Sequence, residues 1–237
     1  MSGETPYLSL IIPAYNEGSR IAANVETVRA FLETLGKPYE IIVVDDGSTD
    51  RTGELLTKLQ GVKTISYQPN HGKGYAVRQG VIASRGDFVA FSDADLSAPI
   101  SELAKLFAAI ESSADIAIGS RALPDSQLVI HQPRYRELGG KALNLIIRML
   151  AVPGIMDTQC GFKLFKGEVA RQVFAKCILC GWGFDVEVLY LARKIGCRIA
   201  EVPVRWSHSA DSRIRPFRAG LEVLADTLRI RLHKYSL

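Results

Sequence analysis

Ile41-Ile-Val-Val-Asp-Asp-Gly47 sets the architecture of this chain. Four aliphatic residues follow one another without alternation, which is typical of a strand buried on both faces of a parallel sheet. The run ends in two carboxylates and a glycine, residue types that favour a turn. Residues 8–12, bounded by Pro13, and residues 88–91, followed by Ser92-Asp93, are two further apolar runs of this kind. We therefore predict at least three buried strands, each ending in a polar loop.

Helical patterns separate these strands. Ile21 to Leu35 carries apolar residues at helical spacing, and Gly36 follows as a stop signal. Strand and helix alternate in this way for about 120 residues, a pattern that predicts an α/β fold with a doubly wound, mostly parallel sheet flanked by helices. Ligands bind such sheets at the carboxyl ends of the strands. The further predicted elements here are helices at 55–59, 76–84 and 101–111 and strands at 62–66 and 116–118.

The rhythm changes after Arg121, but no interdomain linker appears. We therefore expect one continuous domain with two halves, residues 1–122 and 123–237. The predicted elements of the second half are a loop at 123–133, an apolar helix at 135–150, a loop and short strand at 157–165, a helix at 185–195, a strand at 199–206 and an amphipathic helix at 217–233.

Composition excludes several classes of protein. With 47% hydrophobic and 23% charged residues among 237, the chain is neither disordered nor collagen-like nor a coiled coil. It has no apolar run of about 20 residues and no secretory signal, so we expect a cytoplasmic protein. The four cysteines are too few for a disulfide framework, and we expect buried reduced thiols. Cys177-Ile-Leu-Cys180 has the spacing of half a zinc site, but no second pair answers it.

The net charge of +4 is concentrated at the end of the chain. Residues 205–237 hold seven Lys and Arg against three acids, whereas the rest of the chain is neutral. The predicted amphipathic helix there has two interpretations: it packs on the core with its basic residues in water, or it lies on anionic lipid. Lipid contact would place the protein peripherally on the cytoplasmic face of a membrane. Nucleic acid is disfavoured as a partner, because no aromatic residues interleave with the basic ones.

Two short motifs indicate possible binding sites for a metal ion and for phosphate. Asp93-Ala-Asp95 follows an apolar strand, where two carboxylates can converge on one Mg²⁺ or Mn²⁺ and leave positions open for substrate phosphates. An ordinary solvated turn is the competing interpretation. Asn70-His-Gly-Lys-Gly74 resembles a phosphate-cradling loop, since glycines let backbone N–H groups approach an anion. It lacks the spacing of a Walker A sequence. The absence of a Rossmann fingerprint argues against a dinucleotide cofactor.

These motifs and several others occur in an order and at intervals that resemble glycosyltransferase family 2 enzymes of the GT-A fold. Within that family the chain is similar to the dolichyl-phosphate or polyprenyl-phosphate β-glucosyltransferase branch, from Leu8 to about Tyr235. The matching motifs are Pro13-Ala-Tyr-Asn-Glu17, Val43-Val-Asp-Asp-Gly-Ser-Thr-Asp50, Gly72-Lys-Gly74, Asp93-Ala-Asp95, Gly119-Ser-Arg121, Asp157-Thr-Gln-Cys-Gly-Phe-Lys163, Trp182-Gly-Phe-Asp-Val-Glu187 and Ile199-Ala-Glu-Val-Pro-Val204.

The resemblance implies an inverting, metal-dependent transferase that moves a hexose, most simply glucose from UDP-glucose, onto polyprenyl or dolichyl phosphate. Residues 1–122 would bind the nucleotide sugar and residues 123–237 the acceptor. The implied site residues are Asp93 and Asp95 for Mg²⁺ or Mn²⁺; Pro13, Tyr15, Glu17 and Asp46 for the nucleoside; Lys73 near the same donor; Arg121, Arg136 and Arg213 for the acceptor phosphate; and Asp95, Asp157, Asp185 and Arg121 for catalysis.

Two departures from the family pattern bear on this interpretation. Ser97 stands where mannosyl relatives often have Gln, and the membrane-spanning helix that usually opens eukaryotic glucosyl relatives has no counterpart in these residues. A phosphate acceptor hardly needs a general base, whereas a neutral hydroxyl would need Asp157 or Asp185. Three alternatives therefore stay open: transfer to a soluble sugar or phosphorylated metabolite, a non-catalytic nucleotide-sugar-binding protein, and a nucleotidyltransferase that releases pyrophosphate.

Overall fold

Parallel strands form the centre of the molecule. The structure, a computed structural model, describes residues 5–130, 134–207 and 216–236, without side chains at 128–130, 134–138, 140–142 and 216–219. The described strands are β1 (Leu8–Ala14), β2 (Tyr39–Asp45), β3 (Val62–Ser66), β4 (Phe88–Ser92), β5 (Ile116–Ser120), β6 (Gln127–Ile130), β7 (Phe162–Lys166), β8 (Ile199–Pro203) and β9 (Arg205–Ser207).

Seven of these strands form one sheet in the order β3-β2-β1-β4-β7-β5-β8, while β6 and β9 pair in a small parallel sheet of their own. The pairs within β3-β2-β1-β4 and the β5–β8 pair are parallel. Only β7 runs the other way, between β4 and β5. The predicted α/β fold with a mostly parallel sheet is confirmed.

Helices cover both faces of the large sheet, because successive residues of its strands point to opposite sides. In β1, Leu10 and Ile12 contact one apolar cluster and Ile11 contacts the other. The first cluster includes α1 and α4, and the second includes α3, α5, α6, α7 and α8. The described helices are α1 (Ile21–Thr34), α2 (Thr52–Leu56), α3 (Lys73–Ala83), α4 (Leu103–Glu111, preceded by a 3₁₀ turn at Ile100–Glu102), α5 (Arg134–Leu150), α6 (Gly167–Lys176), α7 (Phe184–Lys194) and α8 (Pro216–Leu232).

The structure corrects the prediction for the second half at three elements. The predicted loop at 123–133 contains β6, whose partner β9 lies far along the sequence. The predicted strand at 199–206 is two strands, since β8 ends at Pro203 and β9 leaves the large sheet to pair with β6. Helix α6 was not predicted; it buries Ala170, Val173 and Phe174 on one face.

The expectation of buried thiols is only half right. Cys160 and Cys177 are buried, but Cys180 is exposed and Cys197 is half-buried, and all four thiols are free. Cys180 lies in the loop between α6 and α7, where the backbone rather than the side chain makes the packing contacts.

One carboxylate joins β5, β7 and β8 at the edge of the sheet where β5 and β8 begin and β7 ends. Asp115 lies just before β5 and accepts a hydrogen bond from Lys166 Nζ at 2.7 Å and from the Arg198 amide at 2.9 Å. These two donors belong to the end of β7 and the start of β8. The Lys166 hydrogen bond, aided by Arg198, lowers the pKa of Asp115 from 3.8 to about 2.

Asp115 should therefore make stability pH-dependent in acid. Its folded-state pKa is depressed, so the stabilisation is present above about pH 4 and is lost as the pH falls toward about 2. We expect Asp115→Asn to lower the free energy of unfolding by about 1 kcal/mol at pH 6. The difference from wild type should shrink at pH 3, as measured by urea unfolding. A difference that stays constant between these pH values would contradict the assignment.

Candidate active site

The polar residues predicted to lie at strand ends meet at one edge of the sheet. β1, β2 and β4 run parallel and end at Ala14, Asp45 and Ser92, so the loops that follow them are neighbours. Because β7 is antiparallel, its beginning lies at this same edge, with Phe162 opposite Ser92 in the register. The edge therefore collects residues from the first and second halves of the chain.

Asp93 lies where these segments converge. Lys73, the first residue of α3, forms an ion pair with it. Gly161 provides the room, since a Cβ there would lie only 2.1–2.5 Å from the Asp93 carboxylate atoms. The Lys73 ammonium also lies 5.6 Å from the ring centroid of Trp182 and 5.9 Å from that of Phe184. Its position is thus fixed by one carboxylate and two aromatic rings.

A second ion pair lies beneath the first. Lys163 in β7 is fully buried, and its Nζ contacts Asp185 Oδ1 at 2.5 Å and the Cys160 carbonyl at 2.7 Å. Burial raises the pKa of Asp185, and Lys163 and Lys73 oppose that rise. Asp185 is 3% exposed, so its carboxylate serves the two lysines rather than solvent.

The third pair joins Arg121 and Asp157. Arg121 follows β5 and donates through Nε and Nη2 to the two oxygens of Asp157, at 2.7 and 2.9 Å. The Arg121 amide adds a third bond at 2.9 Å. Burial would raise the pKa of Asp157, but the arginine lowers it below its usual range. The carboxylate is therefore ionised and occupied, and its geometry is that of a bidentate pair.

These pairs form one electrostatic network. Although burial acts to lower the pKa of Lys73, the carboxylates of Asp93, Asp185 and Asp95 raise it. Arg121 also interacts electrostatically with Asp93, and Asp157 interacts in the same way with Lys163. With all seven groups ionised, three cations face four carboxylates, a net charge of −1. The members are Lys73, Arg121, Lys163, Asp93, Asp95, Asp157 and Asp185.

The carboxylate oxygens of Asp93 and Asp95 suit a divalent cation. Asp93 Oδ1 contacts Lys73 and Asp95 Oδ1 accepts the Ser97 amide at 3.0 Å, which leaves one oxygen of each carboxylate outside these contacts. Mg²⁺ and Mn²⁺ favour such hard oxygens and need only one or two protein carboxylates when phosphates complete the shell. Among the described residues no group of three or more Cys, His, Asp or Glu converges. The remaining coordination positions would be filled by phosphate oxygens of a bound substrate and by water.

The residues expected to hold a nucleoside lie beside this network. Pro13 is buried in β1, and Tyr15, which is 44% exposed, follows the strand. Glu17 pairs with Arg20 at 2.5 Å. Ala14 accepts a hydrogen bond from the amide of Asp46, so the four residues lie on adjacent strand ends.

Asp46 has a clear structural task. Its Oδ1 accepts the His71 amide at 2.9 Å, and its Oδ2 accepts the Asn70 side chain at 2.7 Å and the Gly72 amide at 2.9 Å. The carboxylate thereby shapes the loop that leads into Lys73. A role in nucleoside binding stays a prediction for this residue.

The structure does not describe the side chains of two residues expected to bind the acceptor phosphate. Arg136 lies in α5, but only its backbone is described, and Arg213 lies outside the described residues. Their contact with a phosphate stays a prediction.

Sequence reasoning missed three components of the site. Lys163, Gly161 and Trp182 were quoted within motifs but given no role. The available signal was Lys163 between the apolar residues of Phe162-Lys-Leu-Phe165, because a charge on a buried strand needs a partner. Nothing in the sequence shows that Gly161 and Trp182 approach Asp93 and Lys73, since those contacts arise from the antiparallel insertion of β7 and from the loop between α6 and α7.

Comparison with known proteins agrees with the geometry. The model of the family "Glycosyl transferase family 2" matches residues 9–174. Dolichyl-phosphate β-glucosyltransferases are 37% identical in Dictyostelium discoideum (95% of this chain, 74% of the relative) and 35% identical in Homo sapiens (96% and 76%). The Saccharomyces cerevisiae enzyme of that name is 34% identical over 97% of this chain and 75% of its own. The chain therefore belongs to glycosyltransferase family 2.

Solved structures support the GT-A fold. Glucosyl-3-phosphoglycerate synthase of Mycobacterium tuberculosis, in complex with Mn²⁺, UDP-glucose and phosphoglyceric acid, superposes with a TM-score of 0.74 at 19% identity. The match covers 98% of this chain and 82% of that one. Another structure of the same synthase gives a TM-score of 0.73 at 20% identity, with the same coverage. At these identities the likeness concerns the fold.

Gly161→Ala tests the packing around Asp93. The added methyl group overlaps the carboxylate, so the Asp93 side chain must shift and its ion pair with Lys73 is disturbed. We expect a loss of turnover of roughly a hundredfold, the scale of a displacement of about 1 Å in an active site. Gly139→Ala is the control, since nothing lies within 4 Å of a Cβ there. Equal steady-state rates for the two variants would show that Asp93 needs no such room.

Proposed function

We propose that this protein transfers glucose from UDP-glucose to the phosphate of dolichol or a related polyprenol, with inversion at the anomeric carbon. The observation that carries the proposal is the network of three cations and four carboxylates at the carboxyl edge of the sheet. Such an edge is where α/β folds bind ligands. The names of the relatives, which align with 94–97% of the chain, support both the donor sugar and the lipid phosphate.

Asp93 and Asp95 are the residues that would hold Mg²⁺ or Mn²⁺ against the donor diphosphate. A bound divalent cation stabilises the negative charge of the departing nucleoside diphosphate. It also converts the net charge of the network from −1 to +1, which favours an anionic donor. Lys73 orients Asp93, and Lys163 with Asp185 supports Lys73 from below.

The acceptor phosphate fits Arg121. Asp157 occupies Nε and Nη2 of this arginine, and none of the hydrogen bonds among the described residues uses Nη1, which can face an anion. A phosphomonoester has a second pKa of about 6 and is largely a dianion at neutral pH, so its oxygen needs no base to attack the sugar. Asp157 and Asp185 therefore act as partners of Arg121 and Lys163 in this proposal, not as bases.

A surface next to this site suits a membrane. Helices α5 and α8 pack together and carry exposed apolar side chains: Leu145, Met149, Leu221, Leu228 and Leu232, at 53%, 68%, 54%, 49% and 83% exposure. Arg229 and Arg231 lie in the last turn of α8. Apolar side chains beside basic ones favour the interface of an anionic bilayer. None of the helices in the described part of the chain combines the length and apolar character of a membrane span.

A donor and acceptor panel tests the proposed reaction. Release of UDP is measured from UDP-glucose with dolichyl phosphate, with 3-phosphoglycerate as a soluble acceptor and with neither, each with and without Mn²⁺. The proposal requires release that depends on the lipid phosphate. Release with the soluble acceptor alone would favour transfer to a metabolite, binding of UDP without release would favour a binding protein, and pyrophosphate release would indicate a nucleotidyltransferase.

Asp95→Asn should separate the metal site from the fold. The Oδ1 of an asparagine can still accept the Ser97 amide, so stability should change by less than about 1 kcal/mol. Loss of the negative oxygen should lower turnover by roughly a hundredfold or more. Asp125→Asn, at an exposed carboxylate outside the network, is the control. Near wild-type turnover of Asp95→Asn with UDP-glucose would refute the assignment.

The membrane surface has a matched test of its own. Replacing Leu228 and Leu232 by Gln should weaken binding to vesicles that contain phosphatidylserine by roughly tenfold or more, because two apolar side chains lose their burial in lipid. Ile82→Gln is the control, since Ile82 is 50% exposed on α3. Co-sedimentation measures both, and equal losses in the two variants would argue against a surface on α8.

A further inference from the structure

A buried carboxylate outside the charged network holds the C-terminal segment against the loop at 177–183. Glu187 in α7 is fully buried and accepts the amides of Ile178 and Leu179, each at 2.9 Å. Its third donor is the hydroxyl of Tyr235, at 2.5 Å. Burial and the contact with Glu187 raise the pKa of Tyr235, so the hydroxyl keeps its proton and remains a donor.

The loop held by Glu187 packs directly on the start of α3. The amide of Tyr75 donates to the carbonyl of Cys180 at 3.1 Å. A Cβ at Gly72 would lie 2.6 Å from that carbonyl oxygen, and one at Gly74 would lie 2.6 Å from the Cβ of Phe184. The loop and the helix start are therefore in backbone contact, and neither can shift without the other.

The same loop and the first residue of α7 carry the aromatic rings that flank Lys73. Trp182 and Phe184 lie 5.6 and 5.9 Å from its ammonium, and Lys73 pairs with Asp93. Contacts thus run without a break from Tyr235 through Glu187 and the loop to Lys73. The loop is anchored in the core as well, since Leu179 and Phe184 belong to the apolar cluster on this face of the sheet and Trp182 and Tyr235 pack against it.

We infer that Glu187 and Tyr235 are positioning residues of the donor site, which set the place of Lys73 by fixing the loop at 177–183. This inference rests on the proposed function, since it takes the edge at Asp93 as the site of the nucleoside diphosphate. Tyr235 touches neither substrate nor the reacting atoms in this scheme. Its removal should therefore change how well the donor is bound and leave the chemical step alone.

Tyr235→Phe is the decisive variant, because it deletes one donor to Glu187 and keeps the ring. Tyr190→Phe is the control: its ring lies 6.3 Å from that of Tyr235 on the same helix as Glu187, and it also loses one hydroxyl. Binding and kinetics use the native chain as the background. Only quenching uses a Trp206→Phe background, where Trp182 is the remaining tryptophan of the two in the chain, because Trp206 lies 5.3 Å from the Arg121 guanidinium. The probes are UDP with Mn²⁺, acrylamide quenching of Trp182 fluorescence, and the KM for UDP-glucose against kcat.

For Tyr235→Phe we expect a roughly fivefold to tenfold rise in the Kd for UDP and in KM, the order of one lost hydrogen bond to a charged acceptor. The kcat should stay within about twofold, because the chemical step keeps its residues. Quenching of Trp182 by acrylamide should increase, and Tyr190→Phe should match the background in every measurement.

Glu187→Gln is a second variant, which keeps the shape of the side chain. Its NH₂ group would replace one of the two oxygens that accept the amides of Ile178 and Leu179, so one of these hydrogen bonds would be lost. It should reproduce the changes of Tyr235→Phe in larger measure. Unchanged quenching and unchanged Kd in Tyr235→Phe, with UDP bound by the background protein, would overturn the inference alone, as would a lowered Tm with the donor constants intact. A background protein that binds no UDP would instead overturn the proposed function.

Discussion

The antiparallel insertion of β7 between β4 and β5 is the constraint on which the site depends. It brings the beginning of β7 to the edge where the parallel strands end, so Gly161 lies against Asp93 and Lys163 lies beneath it. A parallel strand at this place would present its other end and would leave Asp93 without the space that Gly161 provides. The donor site is therefore made by two distant parts of the chain that share one ladder.

Burial of charge at this edge is stabilised by pairing. Lys163 is fully buried and Asp185 nearly so, and an isolated charge in either place would be costly. Each has the other as a partner, and Arg121 has Asp157 in a bidentate geometry. The excess of one carboxylate over the cations then lies at Asp93 and Asp95, which is where a divalent cation fits. Pairing thus explains how the buried ions are tolerated, and the unpaired excess of charge lies at the two carboxylates proposed to hold the metal.

Much of this arrangement follows from local sequence. The strand ends at Asp45 and Asp93 were predictable, because apolar runs that stop at acidic turns need no distant information. The pairing of Arg121 with Asp157 was not, although both residues were singled out, since their ion pair joins the end of β5 to a loop before β7. The same holds for β6, which forms a strand only through β9. In each case the missing information is a contact between segments that are far apart in the sequence.

The strand order also divides the sheet into two parts that meet at a single ladder. β1 to β4 are consecutive in the chain and pair only with one another, except where β4 meets β7. Segments after β5 reach the first four strands in the sheet only through the β4–β7 ladder. The β4–β7 ladder is the seam between the two parts, and a chimera that replaced the segments after β5 would have to keep Gly161 and Lys163 to preserve the surroundings of Asp93 and Asp185.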